Sequence, residues 1–321
     1  MYPTASRRQA PLRLLALILA ATLAGLASGQ ETCDGRLIDH AMGTTCVPEK
    51  PERVVVLDTG ELDSALALGV VPVGAVTAFA NGGFPSYLEG RTDGIAVVGT
   101  IAEPNLEAIL ALDPDLILSS KLRHESIYRQ LSGIAPTVFT EAVGVVWKEN
   151  LLANGEALGL REGAERLLAD YDQRLATLRS DLDELPSVSI VRFLPGQVRI
   201  YLAESFIGTI IEDAGLPRPP AQRADGFALF VDKEGIALMD ADVMFVTTYG
   251  PEEDTSVAEF GDDPLWRTLD VVRRGDVHSV PDAYWMLGIG PLAADLVIND
   301  LFSYLTDSGH AGGSAAGNGS R

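Results

Sequence analysis

Between residues 148 and 185 the chain carries no strand signal, while on either side short β-branched runs alternate with helical stretches. That interruption restricts the fold more than any other feature. Alternating buried strands and crossover helices build an α/β layer, and two such blocks flanking a helical stretch build two lobes. Within the interruption Leu151, Leu152, Leu158, Ala164, Leu167, Leu168, Tyr171, Leu175 and Leu178 recur near a helical period; Gly159 breaks the pattern once and Pro186 ends it. Residues 161–181 as one helix extend about 30 Å at ~1.5 Å per residue, long enough to join one lobe to the other stiffly. Closure on a ligand held between such lobes is expected to be slight.

In the first block, 53–57 (RVVVL), 71–76, 96–98, 115–119 (DLILS) and 137–139 read as strands, separated by helices over 61–68, 104–112 and 127–131. In the second, 189–193, 198–201, 243–246 and 277–280 read as strands, with helices over 206–214, 265–271 and 292–305. Gly or Pro bounds each apolar run, as parallel strands with crossovers require.

A chain of 321 residues exceeds what one hydrophobic core usually organises. Arg7, Arg8 and Arg13 precede the apolar run 14–27, which ends in Ala27-Ser28-Gly29, the pattern of a cleaved export signal. The run falls short of the roughly 20 residues a membrane span needs. The expected organisation is therefore a signal peptide over 1–29, an N-terminal α/β lobe over 30–158, an interlobe helix over 159–185, a C-terminal α/β lobe with the final helix over 186–305, and a disordered Gly/Ser-rich tail over 306–321. Export makes a Cys33–Cys46 disulfide the expected state, contributing ~3 kcal/mol on the chain-entropy view. Gln30-Glu31-Thr32 lacks the small apolar residues that a lipidated Cys33 would need.

Asp and Glu number 45 against 24 Lys and Arg, a net charge of -21 that disfavours nucleic acid and anionic lipid surfaces as partners. No GxSxG, HExxH, P-loop or DxDxDG pattern occurs. Gly288 to Ala293 matches GxGxxA, but no strand with a following acid supports a dinucleotide unit, so a tight turn into a helix is the simpler reading. His40, His124, His278 and His310 are scattered, without the paired spacing of a metal site. Neither a catalytic set, a bound metal nor a cofactor is expected.

Four stretches carry a resemblance: HAMGTTCVPEKPERVVVLDTGELDSALALGVVPVG, EPNLEAILALDPDLIL, LSGIAPTVF and DPLWRTLDVVRRGDVHSVPDAYW. From about Cys33 to Leu305 the chain resembles the substrate-binding proteins of ABC importers for iron-siderophores. It is similar to the branch with a single long interlobe helix (class III periplasmic-binding-protein-like), which also includes cobalamin and haem binders. The resemblance implies an exported monomer, periplasmic or cell-surface associated, that captures a ferric siderophore between two α/β lobes and delivers it to an ABC permease. A hydroxamate or citrate-type chelate is favoured over a triply charged catecholate, since few inward cations are in view. Cobalamin or haem binding is the alternative within the fold. A secreted α/β enzyme would instead need a carboxylate pair with displaced pKa values in a cleft, and a scaffold module would have no deep cavity.

A bulky anionic chelate needs a few cations and aromatic walls. Arg192 interrupts the apolar strand SIVRF, where the resemblance places a ligand-binding arginine; a carboxylate partner is the structural alternative. Lys121 and Arg123 directly follow strand DLILSS, at the end of a parallel strand where open α/β sheets hold ligands, and one of them is expected to point inward. Trp147, Tyr249, Tyr284 and Trp285 lie beyond strand ends and are candidate cleft walls, as are Phe79 and Phe84 in the AFANGGF loop. Each has core packing as its alternative. Glu107 and Glu234 occupy matching places, one per lobe, on helices shortly before strands. In proteins that look like this such glutamates pair with permease arginines; an ordinary solvated face is the alternative.

Overall fold

The computed structural model describes residues 33–78, 82–250 and 257–306. The expected signal peptide, residue Phe79 and all of the expected tail except Thr306 lie outside the described residues. Cys33 and Cys46 are both disulfide-bonded. From Gly35 onward the described residues form one compact unit.

That unit opens with an antiparallel hairpin of β1 (Arg36–His40) and β2 (Gly43–Val47). The first block then runs β3 (Val54–Val56), α1 (Thr59–Ala67), β4 (Gly74–Thr77), β5 (Ala96–Thr100), α2 (Leu106–Ala111), β6 (Leu116–Ser120), α3 (Lys121–His124), α4 (Tyr128–Ser132) and β7 (Thr137–Thr140). Its sheet is wholly parallel, in the order β5-β4-β3-β6-β7. Every residue of β3 and β6 is buried, as expected for central strands covered on both faces.

Helices α5 (Trp147–Ala157) and α6 (Arg161–Asp181) follow, divided at Gly159, whose φ of 73° lets the chain turn where α5 ends. The second block runs β8 (Val188–Leu194), β9 (Gln197–Tyr201), α7 (Phe206–Asp213), β10 (Ala228–Val231), β11 (Val243–Thr248), α8 (Val257–Gly261), α9 (Asp270–Arg274), β12 (Val277–Ser279), α10 (Asp282–Trp285) and α11 (Pro291–Thr306). Its sheet order is β10-β9-β8-β11-β12. Strands β8, β11 and β12 are parallel, whereas β8-β9 and β9-β10 are antiparallel.

Some elements differ from the sequence expectation. The hairpin β1-β2 and the edge strand β10 have no counterpart there: the hairpin is largely exposed and carries no apolar run, whereas β10 (ALFV) is a short apolar run that the strand expectation passed over. Pro72 delays the second strand of the first block to Gly74. The segment that holds Glu234 is a 3-10 helix, Lys233–Met239, capped by the Asp232 side chain, which accepts from the Gly235 N–H. The final helix extends to Thr306, where the tail was expected to begin.

Helix α6 is no free-standing strut. It buries Ala164, Tyr171, Leu175 and Leu178 on one face, and the last three join the core formed by β8, α7 and α11. A second link joins the lobes elsewhere. The Asp63 carboxylate on α1 accepts from the backbone N–H groups of Leu292 at 2.8 Å and Ala293 at 3.1 Å, and from the Tyr87 hydroxyl at 2.7 Å. Those N–H groups are free donors of the first turn of α11, and the helix dipole favours a negative charge there. Gly290 leaves the room: a Cβ at that position would lie 2.5 Å from Asp63 Oδ1. Burial pushes the Asp63 carboxyl up to about 6, against the pull of those hydrogen bonds.

Candidate functional site

Two adjoining cavities, of about 340 and 520 Å³, share Leu122, Arg123, Met286 and Ile289. Together they form a cleft between the lobes. On the N-terminal side the wall comes from residues just past strand ends: Thr59 after β3, Ala78 after β4, Ile101 after β5, and Leu122 with Arg123 after β6. This is the carboxyl edge of a parallel sheet, where side chains are free to project from loops. On the facing side, Arg192, Arg199 and Tyr201 come from β8 and β9, Phe227 from the approach to β10, and Trp285 and Met286 from the end of α10.

Arg192 is the best anchored of these groups. Its guanidinium donates to Asp282 through Nε at 2.7 Å and Nη2 at 2.6 Å, and through Nη1 to the Tyr201 hydroxyl at 3.1 Å. The Tyr249 ring lies 4.8 Å from the guanidinium carbon, in cation–π range. Burial works against the charge on Arg192, but the Asp282 carboxylate outweighs it and raises the pKa. Burial also pushes the Asp282 carboxyl up, against the pull of the guanidinium. The two influences on Asp282 oppose each other, and the two-pronged geometry identifies the pair as ionised.

Arg199 sits directly opposite Arg192 in the β8-β9 register, so both side chains share one face of the hairpin. Its Nε donates to Gln197 at 2.8 Å, and its guanidinium lies 5.3 Å from the Phe230 ring centroid. Arg123 reaches the cleft from the other lobe while its Nε donates to Asp58 Oδ2 at 2.7 Å. Asp58, buried, caps α1 by accepting from the Gly60 N–H. Behind it Glu61 is fully buried; the Thr140 hydroxyl donates to its Oε1 at 3.4 Å, and its Oε2 has no hydrogen-bond partner. Burial, reinforced by the neighbouring Asp58 charge, pushes the Glu61 carboxyl up to about 8.

Close by, His124 accepts at Nδ1 from the Ser119 hydroxyl at 2.6 Å and donates from Nε2 to the Ile101 carbonyl at 2.7 Å. The carbonyl fixes that tautomer, since it can only accept. The pair ties the cleft residue Ile101 to the end of β6 and is too buried to meet a solute. Burial lowers the His124 pKa. No cluster of three or more metal-ligating side chains occurs among the described residues.

The sequence candidates divide on this geometry. Arg192, Arg123 and Trp285 line the cleft, and Tyr249 is not among its lining residues but meets the Arg192 guanidinium. Trp285 shows only an edge, since it is fully buried, donates through Nε1 to Asp300 at 2.8 Å and packs 4.8 Å from Phe245. Lys121 does not line the cleft; it pairs with Glu141 at 3.0 Å, so of the two basic residues after β6 it is Arg123 that turns inward. Trp147 is a core residue. It donates to the Thr209 hydroxyl at 3.1 Å and packs edge-on against Tyr171 and Phe206. Tyr284 also turns away, donating to Asp300 at 2.9 Å, and Phe84 packs on the N-terminal core. Glu107 and Glu234 are exposed in the first turns of α2 and of the 3-10 helix.

Sequence reasoning missed Arg199, Tyr201, Phe227 and Leu122. The first two carried a usable signal: in QVRIY they alternate on one face of a strand that follows β8 after a two-residue turn. Phe227 is brought to the cleft by the edge strand that it precedes, ALFV, whose apolar run was the signal that could have found it.

Comparison with known proteins follows the same lines. Residues 54–284 match the family described as periplasmic binding protein. The chain is 38% identical over 283 residues, 84% of its length and 87% of the relative's, to the probable siderophore-binding lipoprotein YfiY of Bacillus subtilis (strain 168). It is 33% identical over 261 residues, 78% of its length and 85% of the relative's, to the achromobactin-binding periplasmic protein of Dickeya dadantii (strain 3937). Among solved structures, Staphylococcus aureus SirA complexed with staphyloferrin B superposes with a TM-score of 0.77 at 35% identity, covering 84% of this chain and 98% of that one. By match, by identity and by a two-lobed α/β architecture, this chain belongs to the periplasmic binding protein family, a family of substrate-binding transport proteins.

Proposed function

We propose that this chain captures a ferric siderophore in the interlobe cleft and presents it to an ABC importer. The observation that carries this reading is the placement of Arg192 and Arg199 opposite each other on β8 and β9, facing Arg123 across the cleft. Like charges placed directly across a strand pair repel. An anion between them removes that cost. Two of the three guanidinium groups already have carboxylate partners, Asp282 and Asp58, so little positive charge is left uncompensated. That favours a chelate with carboxylate or hydroxamate arms over a triply charged catecholate.

A relative of 30% identity whose name gives ferric citrate as its ligand supports the same choice. Glu107 and Glu234, exposed one per lobe, are the proposed contacts to a permease, and the protein works as an exported monomer. Titration of tryptophan fluorescence with ferric citrate, ferric staphyloferrin B, a ferric triscatecholate, haem and cobalamin tests the reading. Saturable quenching by a carboxylate chelate at the lowest concentration is expected. Preference for haem or cobalamin would move the chain to another ligand class, and no response to any of them would overturn it.

A further inference from the structure

Next to the cleft residue Arg123 stand two buried carboxylates, of which its guanidinium bonds only one. Asp58 and Glu61 stand at the N-cap and in the first turn of α1, both about 1% exposed. Arg123 is bonded to Asp58 alone and also lines the cleft. Glu61 Oε2, with no partner, is the exceptional atom, because a buried ionised carboxylate normally has every lone pair occupied. With both acids ionised the group would carry a surplus negative charge in a water-poor site. One proton held by Glu61 makes it neutral.

The groups that face Glu61 are few. Asp58 lies on its own helix cap, Arg123 comes from α3, and Thr140 from the end of β7. His124 acts on Asp58 rather than on Glu61. Strands β3 and β4 pack apolar and small side chains against α1, and no charged side chain of α5 or α11 acts on Glu61. Arg123 is thus the single cation shared between this buried pair and whatever anion enters the cleft.

We infer that Glu61 is a proton-binding site linked to the ligand site through Arg123, so that uptake of an anionic chelate is accompanied by proton uptake. A chelate carboxylate that draws on Arg123 weakens what that cation offers Asp58 and Glu61, and the buried pair then holds its proton more tightly. Linkage makes the effect mutual: a protonated Glu61 leaves Arg123 freer to serve the ligand. The bond formed is O–H on Glu61, and the proton comes from solvent. Glu61 acts here as a positioning residue, since it touches the ligand only through Arg123. The inference rests on the proposed anionic ligand.

The test is calorimetric titration of the full chain with ferric citrate in excess citrate, from about pH 6.5 to about pH 9, in buffers of different ionisation enthalpy. The wild type is expected to take up protons on binding near pH 8 and to lose affinity above it, by at most about ten-fold per pH unit for one linked proton. In Glu61→Gln that uptake disappears and the slope keeps only the part due to the chelate's own speciation. Parallel slopes and equal proton uptake in the two proteins would overturn the inference while leaving the ligand reading intact. Absence of binding at every pH would overturn both. Should Glu61→Gln fail to fold, infrared difference spectra of the wild type decide. A protonated-carboxyl band that grows on adding chelate near pH 8 is expected, and no change in that band would count against it.

Discussion

Arg192 meets Asp282 through two parallel hydrogen bonds, Nε to Oδ1 at 2.7 Å and Nη2 to Oδ2 at 2.6 Å, on the wall of the cleft. The guanidinium is therefore held in place before any ligand arrives, and its orientation need not be ordered on binding. The same carboxylate competes with an incoming anion for the charge. Arg192→Ala is expected to weaken chelate binding by about 1 to 3 kcal/mol and to destabilise the fold as well, because Asp282 is left half-buried without its cation. Asp282→Asn should do the reverse to affinity, tightening an anionic chelate by up to about ten-fold as the competing charge is removed. Calorimetric titration with ferric citrate, alongside urea unfolding, measures both effects.

Helix α11 begins on the Asp63 carboxylate, so Asp63→Ala leaves one buried and one half-buried backbone N–H group and the Tyr87 hydroxyl without their acceptor. A loss of about 1 to 3 kcal/mol in unfolding free energy is expected, with Asp63→Asn milder because it keeps one oxygen. Gly290→Ala should cost a similar amount by driving a methyl group into Asp63. Equal midpoints for Asp63→Ala and wild type in urea would contradict the capping role.

The unliganded protein should lose stability as pH rises toward the alkaline side. The folded-state pKa of Glu61 is raised from 4.5 to about 8, so its stabilising contribution is full below the unfolded value and is lost as pH climbs through about 8. Asp63, raised from 3.8 to about 6, adds a fall of the same sign at lower pH. Burial lowers the His124 pKa, so this group acts oppositely and costs stability as pH falls below its unfolded value of 6.5. Thermal midpoints recorded against pH should therefore decline from about pH 6.5 to about pH 8 in the wild type and level off above that, with a smaller decline in Glu61→Gln.

Trp147 and Trp285 are both buried, but only the second borders the cleft. Trp285→Phe should therefore remove more of the ligand-induced fluorescence quenching than Trp147→Phe. The Trp147 substitution should instead lower stability, by about 1 to 3 kcal/mol, through loss of its bond to Thr209 and of its packing on Tyr171 and Phe206. Identical quenching in the two variants would show that neither indole reports on the site.

Charge reversal at Glu107 and Glu234 should leave chelate affinity unchanged and abolish uptake in cells or permease-containing vesicles. Both side chains are exposed and neither lines the cleft. Normal uptake by the double variant would remove them from the docking surface.

How much of this was legible in the sequence depended on burial. Runs such as VVV and LILSS must be strands covered on both faces, and a helix with Ala164, Tyr171, Leu175 and Leu178 inward must lie against something apolar. Strand β10 was passed over although ALFV is an apolar run; with four residues, only one of them buried, it is too short to be told from a loop by periodicity. Arg192 stood out as a charge inside an apolar strand. Trp147, Tyr284 and Lys121 were misplaced for a common reason. A residue beyond a strand end can turn either way, and the partner that decides, Thr209, Asp300 or Glu141, is distant in sequence.

The carboxylate beneath α11 has a mechanical meaning. A pair of bodies pinned at one point can swivel about it in every direction, but pinned at a second point as well they keep a single axis. With α6 as one pin and the seat of α11 on Asp63 as the other, the lobes keep one direction in which to turn. Opening and closing of the cleft is then a rotation about the line through those two points, and a twist across that line is resisted.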